Sequence, residues 1–176
     1  SKKIQDILAK RGVKIITGNG IKEIQGVGKV EKVVLENGES FETDAIVLSI
    51  GYKPNVDLAH KSGIYVDESG FIAVDEYMRT HVKDIFAIGD CAQKRDFVTR
   101  ARVGTMLAST ACAEARIAGM NLFNLNVVKT FSGTIAIYST AIGTTGFGTA
   151  GITEARAKAE GIDAVTGTFE GVDRHP

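Results

Sequence analysis

The chain has 176 residues, 44% of them apolar, and its 21 basic and 21 acidic side chains cancel. The length is close to the roughly 100–200 residues of a single domain, and the composition is that of a folded protein rather than a disordered one. Because no long block of one charge sign occurs, no nucleic acid and no anionic membrane surface is indicated as a partner. No apolar run reaches the roughly 18 residues that cross a bilayer.

The two cysteines, Cys91 and Cys112, form no CxxC pair, and no cluster of Cys, His and carboxylates has metal-ligand spacing. A metal site is therefore not expected. Free thiols favour a reducing compartment, and no apolar signal segment follows the N-terminus, so we expect a cytoplasmic location. The chain begins at Ser1 without an initiator Met, which indicates a piece of a longer protein.

The first 43 residues predict a helix followed by small strands. Ile4, Ile7 and Leu8 follow helical spacing, and Gly12 stands where a C-terminal helix cap belongs. The Asn-Gly pair at 37–38 is a strong hairpin signal, and it favours an antiparallel meander. The predicted strands of this region are 13–16, 21–24, 30–35 and 41–43.

Two continuous apolar segments, 45–50 and 85–88, predict strands buried on both faces, and each ends at a glycine. Between them we expect a short helix at 56–61 and two short strands about the turn at 67–70. The Ala-rich segment 103–118 is the longest helix candidate.

The composition changes near residue 125, which is our candidate domain boundary. The segment from 126 to 142 is rich in Thr, Ile and Ala and favours strand structure. Thr153 is a candidate N-cap for a helix at 154–160, and 164–169 predicts a last strand. Helices and buried strands mixed with an antiparallel β-meander predict an α/β fold.

The strongest functional signal is the segment 80–90, in which a buried strand runs directly into Gly89-Asp90. In open α/β sheets, ligands bind beyond the carboxyl ends of the strands. A glycine there lets the backbone approach a ligand, and the Asp90 carboxylate can accept a charge-assisted hydrogen bond from a hydroxyl. By itself, a strand that ends in Gly-Asp also describes an ordinary turn.

The full string of Thr80, six residues, and Ala87-x-Gly89-Asp90 resembles the second FAD-binding motif of the FAD-dependent pyridine nucleotide-disulfide oxidoreductase superfamily. The segments around it resemble the family in the same order. Residues 49–55 resemble its Gly-x-x-Pro-Asn segment, and 107–111 resemble the helix start of the NADH oxidase and coenzyme A-disulfide reductase branch.

This resemblance implies the C-terminal portions of two Rossmann-like nucleotide-binding domains, followed by the start of an α+β interface domain. Residues 1–51 would close the NAD(P)-binding domain, 52–125 the FAD-binding domain, and 126–176 would begin a domain that makes a homodimer. The implied function is a flavoenzyme that oxidises NAD(P)H via FAD and reduces oxygen, or a disulfide or polysulfide acceptor.

The resemblance also implies roles for residues of this chain. Asp90 would hydrogen-bond the ribityl chain of FAD, with Gly89 beside it, and Gly51 would border the NAD(P)H. The helix start would lie near the flavin ring, where its positive end stabilises charge on the reduced ring. The residues of that start are Leu107, Ala108 and Ser109. No catalytic residue is implied here, since the family's two glycine-rich loops and redox cysteine precede Ser1, so we expect the piece alone to be inactive.

Two alternatives remain at this point. Residues 146–151 fit Gly-x-Gly-x-x-Gly literally, with Glu170 about 20 residues on, and would make an independent NAD-binding domain. A true fingerprint has an apolar strand running into its first glycine and a helix starting inside it, whereas here a helix is predicted only after Thr153. The other alternative is a folded fragment that has no enzymatic role.

Overall fold

The computed structural model describes residues 2–126 and 128–171, which form two compact units. One unit contains residues 2–52 and 141–146, and the other contains residues 53–140 and 147–171. Compactness does not test which segments belong to which nucleotide-binding domain. The division at 1–51, 52–125 and 126–176 therefore stays a prediction.

Helix α1 (Lys2–Lys10) opens the first unit and ends as the sequence predicts. Gly12 has a φ of +80°, the left-handed conformation that glycine adopts most readily. The Gly12 N–H donates to the Ala9 carbonyl at 3.0 Å, and the Val13 N–H donates to the Leu8 carbonyl at 3.1 Å. These two bonds satisfy the last carbonyls of the helix in a Schellman motif.

The antiparallel meander is confirmed as three strands in the order β1 (Ile21–Gln25), β2 (Lys32–Leu35) and β3 (Ser40–Glu42). Gly38 closes the turn between β2 and β3 with a φ of +89°. The predicted Asn-Gly turn is therefore present, and it sets the register in which β3 pairs with β2.

In the second unit, helix α2 (Asp57–Lys61) packs into a small apolar core. Two short strands, β4 (Lys94–Arg95) and β5 (Arg102–Val103), pair antiparallel, and helix α3 (Ala108–Met120) follows. The predicted helix start at 103 is wrong, because 102–103 pair with β4 instead. The buried residues of the core are Ala59, Ile72, Ala87 and Ala92.

The C-terminal part contains a hairpin of β6 (Ile137–Ile142) and β7 (Thr145–Ala150), followed by helix α4 (Glu154–Ala159). The predicted N-cap is confirmed, since the Arg156 N–H donates to Thr153 Oγ1 at 3.3 Å. Residues 146–150 of the literal Gly-x-Gly-x-x-Gly match lie in strand β7. That geometry lacks the strand–loop–helix junction of a dinucleotide loop, and it disfavours the independent NAD-binding domain.

Asp96 connects α4 to the turn that joins β4 and β5. Its Oδ1 accepts the N–H groups of Val98 and Thr99 at 2.9 Å each, and its Oδ2 lies 3.3 Å from Arg156 Nη1. The pKa of Asp96 is lowered, chiefly by the hydrogen bond from the Thr99 N–H. Burial raises the pKa, whereas the Val98 N–H and the positive charge of Arg156 lower it further. The ionised carboxylate is thus favoured in the folded protein.

We expect Asp96→Asn to lower the free energy of unfolding by about 1 kcal/mol at neutral pH. Because the folded pKa is depressed, this stabilisation is present above the unfolded value of about 3.9 and is lost as pH falls through the folded pKa. Urea titrations of the wild type and Asp96→Asn at several pH values measure the difference in the free energy of unfolding. Glu160→Gln removes the exposed partner of Arg156 and serves as control, with an expected effect below about 0.5 kcal/mol. A difference that grows towards acid pH would contradict the prediction.

Several predicted strands are wrong. Within the described residues no ladder forms at 13–16, 45–50, 85–88 or 164–169, although Phe86 makes one bridge to Arg79. The strands predicted about the 67–70 turn reduce to a single bridge between Val66 and Ile72. An apolar run encodes a preference for burial, but a strand also needs a neighbour for its N–H and C=O groups. Residues 45–50 have no such neighbour in the described chain, and Val47 is 91% exposed.

Among the described helices, none is long and apolar enough to cross a bilayer.

Candidate functional site

The site that the sequence indicates is a single 3-10 turn, Gly89–Cys91. Gly89 has a φ of +76°, which explains why a glycine stands here. The loop before it is closed by Thr80, whose Oγ1 donates to the Ile85 carbonyl at 3.0 Å and accepts the Val82 N–H at 3.2 Å. The threonine of the motif therefore shapes the approach to the turn.

One side of the turn is fixed to the apolar core. The Ile72 N–H donates to the Cys91 carbonyl at 2.8 Å, and the Gln93 N–H donates to the Ile72 carbonyl at the same distance. Ala87 and Ala92, just before and just after the turn, are both buried in the core. The backbone on each side of Gly89 and Asp90 is thus held in place by packing.

The other side of the turn lies against α3. The Gly89 N–H donates to Glu114 Oε2 at 2.7 Å, and a Cβ at Gly89 would lie 3.7 Å from Ala111 Cβ. The structure therefore brings Gly89 to the first two turns of α3. Asp90, the next residue, has an exposed side chain.

Helix α3 begins without a side-chain cap. Leu107 is the N-cap in extended conformation, with φ −133° and ψ 132°, and it offers no acceptor to the helix N–H groups. The first N–H groups of a helix have no partner inside the helix, and this end carries partial positive charge. The Ala111 N–H is the first to bond back, to the Leu107 carbonyl at 3.0 Å. Ala108 and Ser109 lie in the first turn and are exposed.

Five of the six predicted site residues therefore belong to one structural feature, the turn with the adjoining helix start. The sixth, Gly51, lies in the other compact unit, where it is exposed and has a φ of +92°. Its predicted role beside NAD(P)H stays a prediction.

The sequence reasoning missed a buried ion pair, Lys94 and Glu114, behind the turn. Both side chains are 0% exposed, and Lys94 Nζ lies 3.5 Å from Glu114 Oε1. Lys94 Nζ also donates to the carbonyls of Gly89 and Ala92, the latter at 3.0 Å. Burial raises the pKa of Glu114, and the Gly89 N–H and Lys94 oppose that rise. The only signal in the sequence is a single carboxylate, Glu114, among the small residues of α3.

Comparison with known proteins shows which family the chain belongs to. The sequence profile of the pyridine nucleotide-disulphide oxidoreductases matches residues 1–115. The chain belongs to this family. The predicted resemblance is confirmed, and the mixed α/β fold with antiparallel strands agrees with the Rossmann-like fold of the family's solved structures.

Named relatives within the family carry related activities. The CoA-dependent NAD(P)H sulfur oxidoreductase of Pyrococcus abyssi is 32% identical over 168 residues, which make up 94% of this chain and 37% of that protein. The NADH oxidase of Methanocaldococcus jannaschii is 29% identical over 171 residues, or 97% of this chain and 37% of that protein. The chain thus spans little more than a third of the length of these oxidoreductases.

A solved member of the family has the same fold over most of the chain. The NAD-dependent persulfide reductase from A. fulgidus superimposes with a TM-score of 0.83 at 31% identity, covering 92% of this chain and 30% of that one. The likeness therefore extends over most of the chain.

Proposed function

We propose that the chain is part of a flavoenzyme that oxidises NAD(P)H via FAD and passes the electrons to oxygen or to a disulfide or polysulfide acceptor. One observation carries the proposal: the Gly89-Asp90 turn lies directly against the uncapped start of α3. Membership of a family whose named relatives are NAD(P)H and NADH oxidoreductases supports it.

The residues present fit the ribityl and ring end of FAD. Asp90 offers an exposed carboxylate, which is an acceptor for sugar-type hydroxyls. The start of α3 offers N–H donors and a positive helix end, which favour negative charge. Gly89 places no side chain between the two. When bound, FAD would supply the hydride-accepting chemistry, and these residues would bind and orient it.

We further propose that the remaining contacts to FAD and NAD(P)H come from parts of the protein outside these residues. The support is that the chain spans 37% of the length of its relatives. On this proposal, the 176-residue chain alone does not bind FAD tightly and is inactive.

The test compares the intact gene product with the 176-residue chain. We expect the intact protein to show the visible absorption of oxidised flavin and to lose it when NADH is added without oxygen. A colourless intact protein that takes up no FAD would overturn the proposed function. Tight stoichiometric uptake of FAD by the 176-residue chain would overturn only the second proposal.

Asp90→Ala is expected to weaken FAD binding by the intact protein. Loss of a hydrogen bond to a charged group costs about 1.5–3 kcal/mol, which corresponds to a roughly 10- to 150-fold higher dissociation constant. Fluorescence titration of the apoprotein with FAD measures it. Asp84→Asn removes an exposed carboxylate from the loop just before the turn and should leave the constant within about twofold. Equal effects of the two substitutions would contradict a specific role for Asp90.

We also propose a cytoplasmic homodimer that associates through the segment from residue 126 onward. Val165 and Phe169 support this, because both apolar side chains are almost fully exposed in this chain. The free thiols of Cys91 and Cys112 support the compartment. Sedimentation of the intact protein tests the oligomeric state, and a monomer at all concentrations would overturn the homodimer.

A further inference from the structure

Gly89 is held from both sides by one buried ion pair. Its N–H donates to Glu114 Oε2 at 2.7 Å, and its carbonyl accepts from Lys94 Nζ. The same ammonium group lies 3.5 Å from Glu114 Oε1 and donates to the Ala92 carbonyl at 3.0 Å. The N–H and the carbonyl of Gly89 belong to the two peptide planes that flank its Cα. Together, the two side chains therefore fix both φ and ψ of this residue.

The hydrogen bonds from Lys94 and Glu114 restrict the backbone freedom that a glycine brings to the turn. The φ of +76° is a conformation that favours glycine, but glycine is also the residue with the greatest backbone freedom. The backbone torsion angles of a glycine turn can therefore vary, and the orientation of the next side chain varies with them. The next residue is Asp90, whose side chain is exposed.

An ion pair is a costly way to fill a protein interior. Taking two charges out of water costs several kcal/mol per ion, and apolar residues of similar volume often stabilise a fold equally well or better. Both side chains here are 0% exposed, so both charges are fully desolvated. What an apolar pair cannot supply is a hydrogen-bond acceptor for the Gly89 N–H and a donor for its carbonyl.

We infer that Lys94 and Glu114 are positioning residues that hold the Gly89-Asp90 turn in place and so direct the Asp90 carboxylate toward the FAD ribityl chain. The inference rests on the proposed function for the identity of the ligand. Neither residue need touch FAD, since both act through the backbone of Gly89.

The test uses the intact protein and the double variant Lys94→Met/Glu114→Leu. This variant removes both charges together, so no unpaired ion is left, and we expect its unfolding midpoint to fall by no more than that of the control variant Ile117→Ala, the loss coming from the backbone groups left without partners. It also removes both contacts to Gly89. Amide hydrogen exchange in the segment 88–92 should then become at least tenfold faster, and the FAD dissociation constant should rise at least tenfold.

Ile117→Ala is the matched control for stability. Ile117 is buried on the same helix, so its truncation leaves a cavity and lowers the unfolding midpoint without removing a hydrogen bond to Gly89. We expect it to leave the exchange of 88–92 and the FAD dissociation constant within about threefold of wild type, because it keeps the hydrogen bonds of Lys94 and Glu114 to Gly89. Should the double variant fail to fold, Lys94→Met is compared with Ile117→Ala instead. A tenfold weaker affinity in Lys94→Met than in Ile117→Ala supports the inference.

Three results overturn it, and they separate it from the proposed function. A double variant with wild-type affinity for FAD shows that the pair does not position the site. Unchanged exchange at 88–92 shows that the pair does not hold the turn. A wild-type intact protein that binds no FAD overturns the proposed function as well, and the exchange measurement then still reports whether the pair fixes Gly89.

Discussion

Lys94→Met is expected to lower the free energy of unfolding by about 3–5 kcal/mol near neutral pH, the usual effect of removing one member of a buried ion pair. The loss comes from Glu114, which would be left as an unpaired charge in a site where its side chain is 0% exposed. Denaturant titration of the apoprotein measures it, so that FAD binding does not contribute. Because typical domains have only about 5–15 kcal/mol of stability, this change is large.

The pH dependence of this variant gives a second readout. Burial already raises the pKa of Glu114, and removing Lys94 should raise it further, since Lys94 lowers it. A carboxyl group whose folded pKa is raised stabilises the fold below the unfolded value of about 4.3, and that stability is lost as pH rises through the folded pKa. The variant should therefore lose stability between acid and neutral pH more steeply than wild type.

Arg116→Met is the matched control, since Arg116 is an exposed cation on the same helix. An exposed substitution of this kind should change the free energy of unfolding by less than about 0.5 kcal/mol at any of these pH values. If Lys94→Met behaved like Arg116→Met, the buried pair would not be an energetic feature of the fold.

The second large effect is expected at Gly89. Gly89→Ala should lower the free energy of unfolding by about 1–2 kcal/mol, because its φ of +76° places a Cβ too close to the following carbonyl oxygen. The new methyl group has space, since it would lie 3.7 Å from Ala111 Cβ, which is an ordinary contact. The effect therefore reports backbone strain, not a clash. Gly89→Val should cost more, because a β-branched residue adopts this conformation least readily.

The intact Gly89→Val protein is expected to be purified with little or no FAD, since relief of the strain would move Asp90. Flavin absorbance per protein measures the content. Gly119→Ala is the control, and we expect it to change the free energy of unfolding in the opposite direction. Gly119 lies in α3 without a positive φ, and no atom lies within 4 Å of the added methyl group. It should stabilise the helix, by up to about 1 kcal/mol. A Gly89→Val protein with full FAD content would contradict the assigned site.

The features that the sequence predicts correctly are those whose partners lie within a few residues. Gly12 caps α1 through bonds to its own last turn, Gly38 closes a hairpin turn, and Thr153 caps α4 through Arg156. The turn at Gly89-Asp90 is likewise visible in the sequence as a local pattern, a glycine followed by a carboxylate, whereas the contacts that hold it come from Ile72 and Glu114, and its role in binding stays a prediction.

The features that it misses depend on partners far along the chain. Lys94 and Glu114 are 20 residues apart, and only the packing of α3 on the turn brings them together. The start of α3 was misplaced because 102–103 pair with 94–95, which no helical propensity reveals. The segment 45–50 was predicted as a buried strand because apolar runs indicate burial without indicating the neighbour.

That apolar segment has a practical consequence for handling the chain. Val47 and Ile50 are 91% and 87% exposed and lie close together in sequence, in a stretch whose backbone joins no ladder among the described residues. Exposed apolar stretches with free backbone groups readily pair with other copies. The isolated 176-residue chain should therefore self-associate and precipitate in a concentration-dependent manner. Low-salt buffers would not prevent this, because the attraction is hydrophobic and not electrostatic.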